Sequence, residues 1–557
     1  MQKVLTAAEM REIDRLTTEK YGIPSLLLME NAAHAAARVI TEKLGGSVEG
    51  KSFLILCGKG NNGGDGAALA RILFTQGAQV EVVLFGKVED TKGNARINFE
   101  ICRKRESEPF ITKTIQADLL GIEHFPFYEC NSQEEWDDLL FKQLDQGWDC
   151  VVDAIFGTGM TRSFDVWLGN IVHHINIHNE MNKIEDDNNR LLVSIDVPSG
   201  LNADSGEIIG TTFQADLTIT FTSPKSANVL PPATRFNGDI ISVNIGIPRA
   251  LADVSDSQFF VSDKTDALEW LEQTKFTPDS HKTKRGRALI IAGSRDMAGA
   301  AVLAANAAMS SGLGLVRVAT PKSAQTAVAT RTAPECLVAG VAETEAGAMS
   351  HEALEELLEL TEKADVAAIG SGLTSDEETT KRLVREFVEK RKFPVVIDAD
   401  GLNALSPFDL QGSDERPLIL TPHIGEMRRL FGDEAADFSD AVKIAREFAQ
   451  KHHIILVLKG ERSLIAAPDG RVVVNPTGNS ALGKAGAGDN LCGIITGFLA
   501  QSYGAMGEKA DAFLAVVAAL FISGMAGDIA ADKIGKRTMT ATDVRECLAD
   551  AFRELEK

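Results

Sequence analysis

One pattern narrows the fold more than any other: an apolar run of strand length ends in a glycine-rich turn, and the turn opens a helix. SFLILCG (52–58) runs into GKGNNGGDGAALARILFTQGA (58–78), and DCVVDAIFGTGMTRS (149–163) and LLVSIDVPSGLNADSG (191–206) repeat the strand-then-turn theme. ADVAAIGSGL (364–373) and FPVVIDADGLNAL (393–405) do so again, and GKAGAGDNLCG (483–493) leads into the buried-helix pattern LCGIITGFLAQ. Strand, glycine turn and helix in that order build doubly wound α/β sheets, whose ligands sit at the carboxyl ends of the strands. A chain of 557 residues has room for two such domains, each with its own core.

The turns carry chemistry as well as shape. Small residues at Ala485, Gly486, Ala487 and Gly488 let backbone amides approach a ligand, and Asp489 falls at the start of the next helix. A helix N-terminus suits a phosphate or developing oxyanion, and a carboxylate beside it can take a proton from a hydroxyl. An ordinary turn with Asp489 as the cap would look the same, so context decides. The GNNGGDG loop lacks the Gly-Lys-Ser/Thr ending of a Walker loop and the spacing of GxGxxG, yet Asn61, Asn62 and Asp65 add polar groups that a simple turn does not need. Asn61, Asp153, Gly157, Asp196 and Ser199 all fall at strand ends, which predicts one site on one sheet edge, although Asp153 and Asp196 could each merely cap a turn.

Composition excludes other classes. A formal charge of -22 would repel nucleic acid and anionic membranes, so neither is expected as a partner. Seven scattered cysteines without a CxxC pair point to reduced thiols and a cytoplasmic setting. The start MQKVLTAAEMREID has no signal-peptide core, and FLAVVAALFISGMAG (513–527) is short for a membrane span and reads as a tightly packed helix. HHINIHNEMNKIEDDNN (173–189) reads as an exposed helix end and loop, its histidines too loosely spaced for a metal site. The join between domains is expected in a polar passage near 249–275, giving domains of 1–250 and 251–557.

Two resemblances then give these positions roles. LILTP (418–422) leading into HIGEM, IILVLKG (454–460) leading into ERSLI, NPTGN (475–479) and the Gly-Asp turn stand in the order of the ribokinase-like fold, and the second half resembles its NAD(P)H-hydrate dehydratase branch. That resemblance implies hydrate contacts at Gly372, His423 and Asp489, and ADP contacts at Lys459, Gly460, Glu461, Arg462, Ser463, Gly486 and Gly488, with magnesium accompanying the nucleotide. Ala487 departs from the hydroxyl-bearing or larger residue usual before the Gly-Asp pair. The first half, with MENA (29–32) and GNNGGDG, resembles the NAD(P)H-hydrate epimerase family, a Rossmann-like doubly wound domain. It implies nucleotide contacts at Asn61, Asn62, Gly63, Gly64 and Asp65, at Gly157, Thr158, Gly159, Met160, Thr161, Arg162 and Ser163, and at Asp196 as the acid-base residue. It also implies potassium held by Asn62, Asp153 and Ser199, whose oxygens are the hard donors a monovalent cation needs.

Together the resemblances imply a bifunctional repair enzyme for hydrated NADH and NADPH (NADHX and NADPHX), expected as a homo-oligomer. One domain would interconvert the two epimers at carbon 6; the other would dehydrate the S form, with ADP rather than ATP as the expected phosphoryl donor. Two alternatives stay open: a ribokinase-like small-molecule kinase fused to a nucleotide-binding module, and a non-enzymatic nucleotide sensor. His423 in TPHIGE and the fused first half count against a simple kinase, and the retained Asp196 counts against a sensor.

Overall fold

Parallel strands covered on both faces must be apolar along their whole length, and that is how SFLILC and CVVDA read. In the computed structural model, which describes residues 1–107, 126–143, 147–160, 162–185, 190–374, 377–432 and 438–557, they lie side by side in a parallel sheet. The chain divides into two compact units, Lys3–Ser257 and Gln258–Lys557, the second also taking Met1–Gln2.

The first unit opens on helix Ala7–Tyr21, started by a reciprocal cap between Thr6 and Glu9 and ended by Gly22. Its seven-stranded sheet runs Phe127–Cys130, Gln79–Phe85, Ser52–Cys57, Cys150–Ala154, Leu191–Ile195, Leu217–Phe221, Asp239–Val243, every neighbouring pair parallel. From Ser52–Cys57 the chain winds outward in one direction, then returns to build Cys150–Ala154 on the other side. The loops after these two strands therefore diverge and leave a crevice, the usual ligand position of such sheets.

The second unit repeats the principle. Arg287–Ile291 pairs on one side with Leu315–Pro321 and on the other with Val366–Ile369, so its own crevice opens between the loops after Ile291 and Ile369. Beyond Val366–Ile369 come Val395–Ile397, Leu418–Leu420 and Ile455–Leu458, then the antiparallel strands Leu464–Ala466 and Val472–Val474. The units divide at Ser257–Gln258, inside the polar passage read as the join, and the rest of that passage supplies strand Phe259–Val261, parallel to Val472–Val474, and the capped helix Lys264–Gln273 of this unit.

One expectation, the exposed helix end and loop from His173, needs correction, while the tightly packed helix expected at 513–527 is present. The segment from His173 onward is part of helix Val166–Glu185, with Val172 and Ile175 buried; residues 186–189 lie outside the described residues. A polar helix that buries one narrow apolar stripe looks like a loop in sequence. The apolar run near 513 belongs to the 23-residue helix Ala512–Ile534, long and apolar enough to cross a membrane by length and composition, but 78% of its apolar stretch is buried inside the unit.

Close packing of helix Ala298–Ser310 on helix Ala487–Met506 depends on glycine. A Cβ at Gly493 would lie 2.2 Å from the Ala304 carbonyl oxygen. Gly493→Ala should therefore push the two helices apart and destabilise this unit by about 1–3 kcal/mol, read as a lower Tm for its calorimetric transition.

Candidate functional sites

In the first unit, glycines fold the loop back on itself. A Cβ at Gly58 would sit 1.9 Å from the Ile155 carbonyl oxygen, and one at Gly63 would sit 1.8 Å from that of Gly58. These contacts start helix Asn61–Thr75 directly at the crevice, over a cavity of about 590 Å³. Of the residues predicted from sequence, Asn61, Asn62, Asp65, Gly157, Thr158, Gly159 and Asp196 line it. Gly63 and Gly64 are buried helix positions that bring backbone close to Gly58 and Ala95 rather than cavity wall. Met160 is buried, its sulfur accepting from the Gly200 N–H, while Arg162 and Ser163 are exposed and off the cavity; Thr161 lies outside the described residues.

Asp196 follows strand Leu191–Ile195 with a φ of +70°, a left-handed conformation uncommon for a non-glycine residue and typical of functional sites. Its Oδ1 pairs with the ammonium of buried Lys225 and accepts from Thr220 Oγ1 at 3.2 Å and the Phe221 N–H at 3.4 Å. Oδ2 accepts no hydrogen bond among the described residues. Lys225 also donates to Thr220 Oγ1 and the Phe221 carbonyl, both at 3.1 Å, so the ammonium is fully engaged. Sequence reasoning missed Lys225 and Asp14, both cavity residues. Asp14 could have been found as an acid flanking the buried face Met10, Ile13 and Thr17 of an amphipathic helix.

Asp153 is fully buried and forms no ion pair among the described residues. Its oxygens accept from Ser194 Oγ at 3.0 Å, Ser199 N–H at 2.8 Å, Ser199 Oγ at 2.6 Å and Ile155 N–H at 3.2 Å. Burial raises its pKa despite these bonds. A buried carboxylate without a cationic side chain, touching Ser199 and followed by a loop whose Gly157 stands against Asn62, is a donor set that fits a monovalent cation.

In the second unit, Gly486 caps helix Ala487–Met506 with a φ of +85°, a conformation that glycine adopts without cost. Asp489 then lies in the first helical turn, as the sequence implied. Burial raises its pKa; the charges of Asp398 and Asp400 push the same way, and the nearby Ser371 hydroxyl and Lys459 pull against them. Lys459 Nζ donates to Asp398 Oδ1 at 2.7 Å, and it lies 3.6 Å from where a Cβ at Gly488 would stand. Burial by itself would lower the Lys459 pKa, but the charge and hydrogen bond of Asp398, with Glu426, hold it above its ordinary value. Asp398 is itself buried and accepts from Thr421 Oγ1 at 2.8 Å.

The structure thus brings Asp489, Gly488 and Lys459 together with Ser371, the neighbour of Gly372. Gly372 adopts a φ of +67°, and a Cβ there would meet Ala300 at 2.8 Å. His423 caps helix Ile424–Phe431: Nδ1 accepts from the Gly425 N–H at 2.9 Å, which fixes Nδ1 as the unprotonated nitrogen. Its neighbour Glu426 reaches Lys459 at 4.0 Å. The exposed Gly460 and Glu461 begin the turn; Arg462 is tied to the Pro476 carbonyl, its pKa lowered by burial, and the Ser463 carbonyl accepts from the Asn475 N–H at 2.9 Å.

A Rossmann-like unit with a paired acid in its crevice, joined in one chain to a ribokinase-like unit with a glycine turn, a lysine and a buried carboxylate, defines a two-site enzyme of nucleotide chemistry. Residues 288–549 match the family model described as NAD(P)H-hydrate dehydratase, and residues 25–227 match YjeF-related protein N-terminus. The bifunctional NAD(P)H-hydrate repair enzyme Nnr of Moorella thermoacetica is 40% identical over 556 residues, covering 100% of this chain and 97% of that protein. The enzyme of the same name from Thermofilum pendens is 34% identical over 555 residues, covering 99% and 97%. The Bacillus subtilis ADP/ATP-dependent NAD(P)H-hydrate dehydratase, co-crystallised with ATP and Mg2+, is 31% identical over 50% of this chain and 94% of its own, with a TM-score of 0.43. The chain belongs to the family of bifunctional NAD(P)H-hydrate repair enzymes.

Proposed function

We propose that the unit Lys3–Ser257 interconverts the R and S hydrates of NADH and NADPH at carbon 6, and that Gln258–Lys557 dehydrates the S-hydrate at the expense of ADP. The observation that carries this reading is a carboxylate with a lysine nearby at the crevice of each unit, Asp196 bonded to Lys225, and Asp489 near a Lys459 that is itself bonded to Asp398, on a chain matched end to end by repair enzymes.

In the second site, Asp489 takes the proton of the carbon 6 hydroxyl. Its raised pKa suits that task, because a base is most effective when its pKa approaches the working pH. The hydroxyl oxygen bonds the terminal phosphorus of ADP and AMP departs; the ring nitrogen lone pair then expels phosphate from carbon 6 to give an iminium, and loss of a proton from carbon 5 leaves the dihydronicotinamide. Lys459 and the amides of the 486–488 turn face the transferred group and offset its charge. Asp398, whose Oδ2 stands beside Gly488, offers a hard oxygen that fits magnesium, which would neutralise phosphate charge when bound. In the first site, Asp196 handles protons as the hydroxyl leaves and water returns from the other face.

Phosphorus NMR separates this from a kinase: ADP should yield AMP and inorganic phosphate only when hydrate is present, whereas an accumulating phosphate ester would overturn the dehydratase reading. Potassium is proposed at Asp153, Asn62 and Ser199, where it would relieve an uncompensated buried carboxylate. Replacing it with tetramethylammonium should lower R-hydrate turnover and the Tm of the first unit together, and leave S-hydrate turnover unchanged. Loss of neither would exclude the cation from this site.

A further inference from the structure

Epimerisation by loss and return of water needs two proton carriers: one to protonate the leaving hydroxyl, and one to take a proton from the water that arrives on the other face. Asp196 can fill one role. We infer that Asp14 is the second, acting at the same carbon 6 from helix Ala7–Tyr21. This rests on the epimerase reading of the first unit.

Asp14 lines the cavity together with Asp196, Asp65, Lys225 and Arg11. Its Oδ1 is buried without a hydrogen-bond partner. A buried acceptor left unpaired on a cavity wall is a position where a ligand can supply the missing donor. The two carboxyls also differ in company: Asp196 has an ammonium bonded to it, and Asp14 has none. Carboxyls in contrasting environments around one cavity are the arrangement that divides acid from base. Burial, the largest influence, lifts the Asp14 pKa to about 6; Lys225 opposes the rise and Asp196 adds to it. Burial also raises the Asp65 pKa well above its ordinary value, with Asp196 and Asp14 contributing repulsion.

The step balances. Protonated Asp14 gives its proton to the hydroxyl, the carbon 6–oxygen bond breaks with its electron pair leaving on water, and the nitrogen lone pair forms a double bond to carbon 6. Water then bonds carbon 6 from the other face, the pair returns to nitrogen, and Asp196 takes the extra proton. Proton exchange with solvent after product release returns both groups to their starting states, and the reverse epimerisation exchanges their roles.

The test uses the full chain with Asp14→Asn and Asp14→Glu, assayed on pure R-hydrate with ADP and magnesium, with S-hydrate turnover as the control. Asp14→Asn should lower kcat for R-hydrate by about 100-fold at little change in KM, and abolish the pH-profile limb near 6 seen in the unaltered enzyme. Asp14→Glu should restore part of the rate with a displaced limb, and it carries the test if the Asn form fails to fold. Because the folded pKa is raised, the Asp14 carboxyl contributes stability below its unfolded value that is lost as pH rises through about 6. The Asn form should therefore have the higher Tm at mildly alkaline pH, gaining stability as it loses rate. A kcat within about threefold of the unaltered enzyme, a change confined to KM, or a limb that vanishes in Asp65→Asn instead would overturn the assignment. If Asp14→Asn and Asp196→Asn both leave R-hydrate turnover intact, the failure belongs to the epimerase reading itself.

Discussion

Asp489→Asn should reduce S-hydrate turnover by about 100- to 10,000-fold while leaving epimerisation untouched. The amide keeps the size of the side chain and its place in the first turn of helix Ala487–Met506, but it cannot accept a proton. The amides of the glycine turn and Lys459 remain, so nucleotide affinity should change far less than turnover. Stability should move in the opposite direction. The folded pKa of Asp489 is raised, so its contribution to stability is present below the unfolded value and is lost as pH rises through the folded one. At neutral pH the buried charge is a cost that the amide removes, and the Tm advantage of the variant should widen with pH. Retention of turnover within a few-fold would remove Asp489 from the chemistry.

Asp196→Asn should abolish R-hydrate turnover to a similar extent and, in contrast, weaken the fold. Lys225 is almost fully buried, and losing its partner leaves an uncompensated ammonium, a change that costs about 3–5 kcal/mol. Thr220 Oγ1 and the Phe221 carbonyl remain as partners but carry no charge. Two explanations for a dead variant, lost base or damaged fold, are separated by Asp196→Asn combined with Lys225→Met. Removing both charges should recover most of the lost Tm, since replacing a buried pair by apolar groups is often neutral. Activity should stay lost. An active double variant would make Asp196 a structural counterion and nothing more.

What could be read in the sequence follows from local rules. The doubly wound fold showed because its parallel strands are apolar along their length and its glycines mark turns at their ends. Asp196 and Asp489 showed because each follows such a turn or strand within a few residues. Lys225 did not, because its partner is 29 positions away and nothing local marks a lysine as buried. Phe259–Val261 was hidden by its length of three residues, and its partner strand Val472–Val474 is more than two hundred positions on. Gly63 and Gly64 were read as ligand contacts, since a glycine that admits a ligand and one that admits a neighbouring backbone look alike in sequence.

The central claim is that one chain completes repair of both epimers. Its most direct test is the near-ultraviolet absorbance of reduced nicotinamide after enzyme is added to a mixture of R- and S-hydrates with ADP, magnesium and potassium. The account predicts full recovery of NADH or NADPH in the unaltered enzyme, and recovery that stops at the S-hydrate share in Asp196→Asn. No recovery from either epimer with ADP or ATP would contradict it.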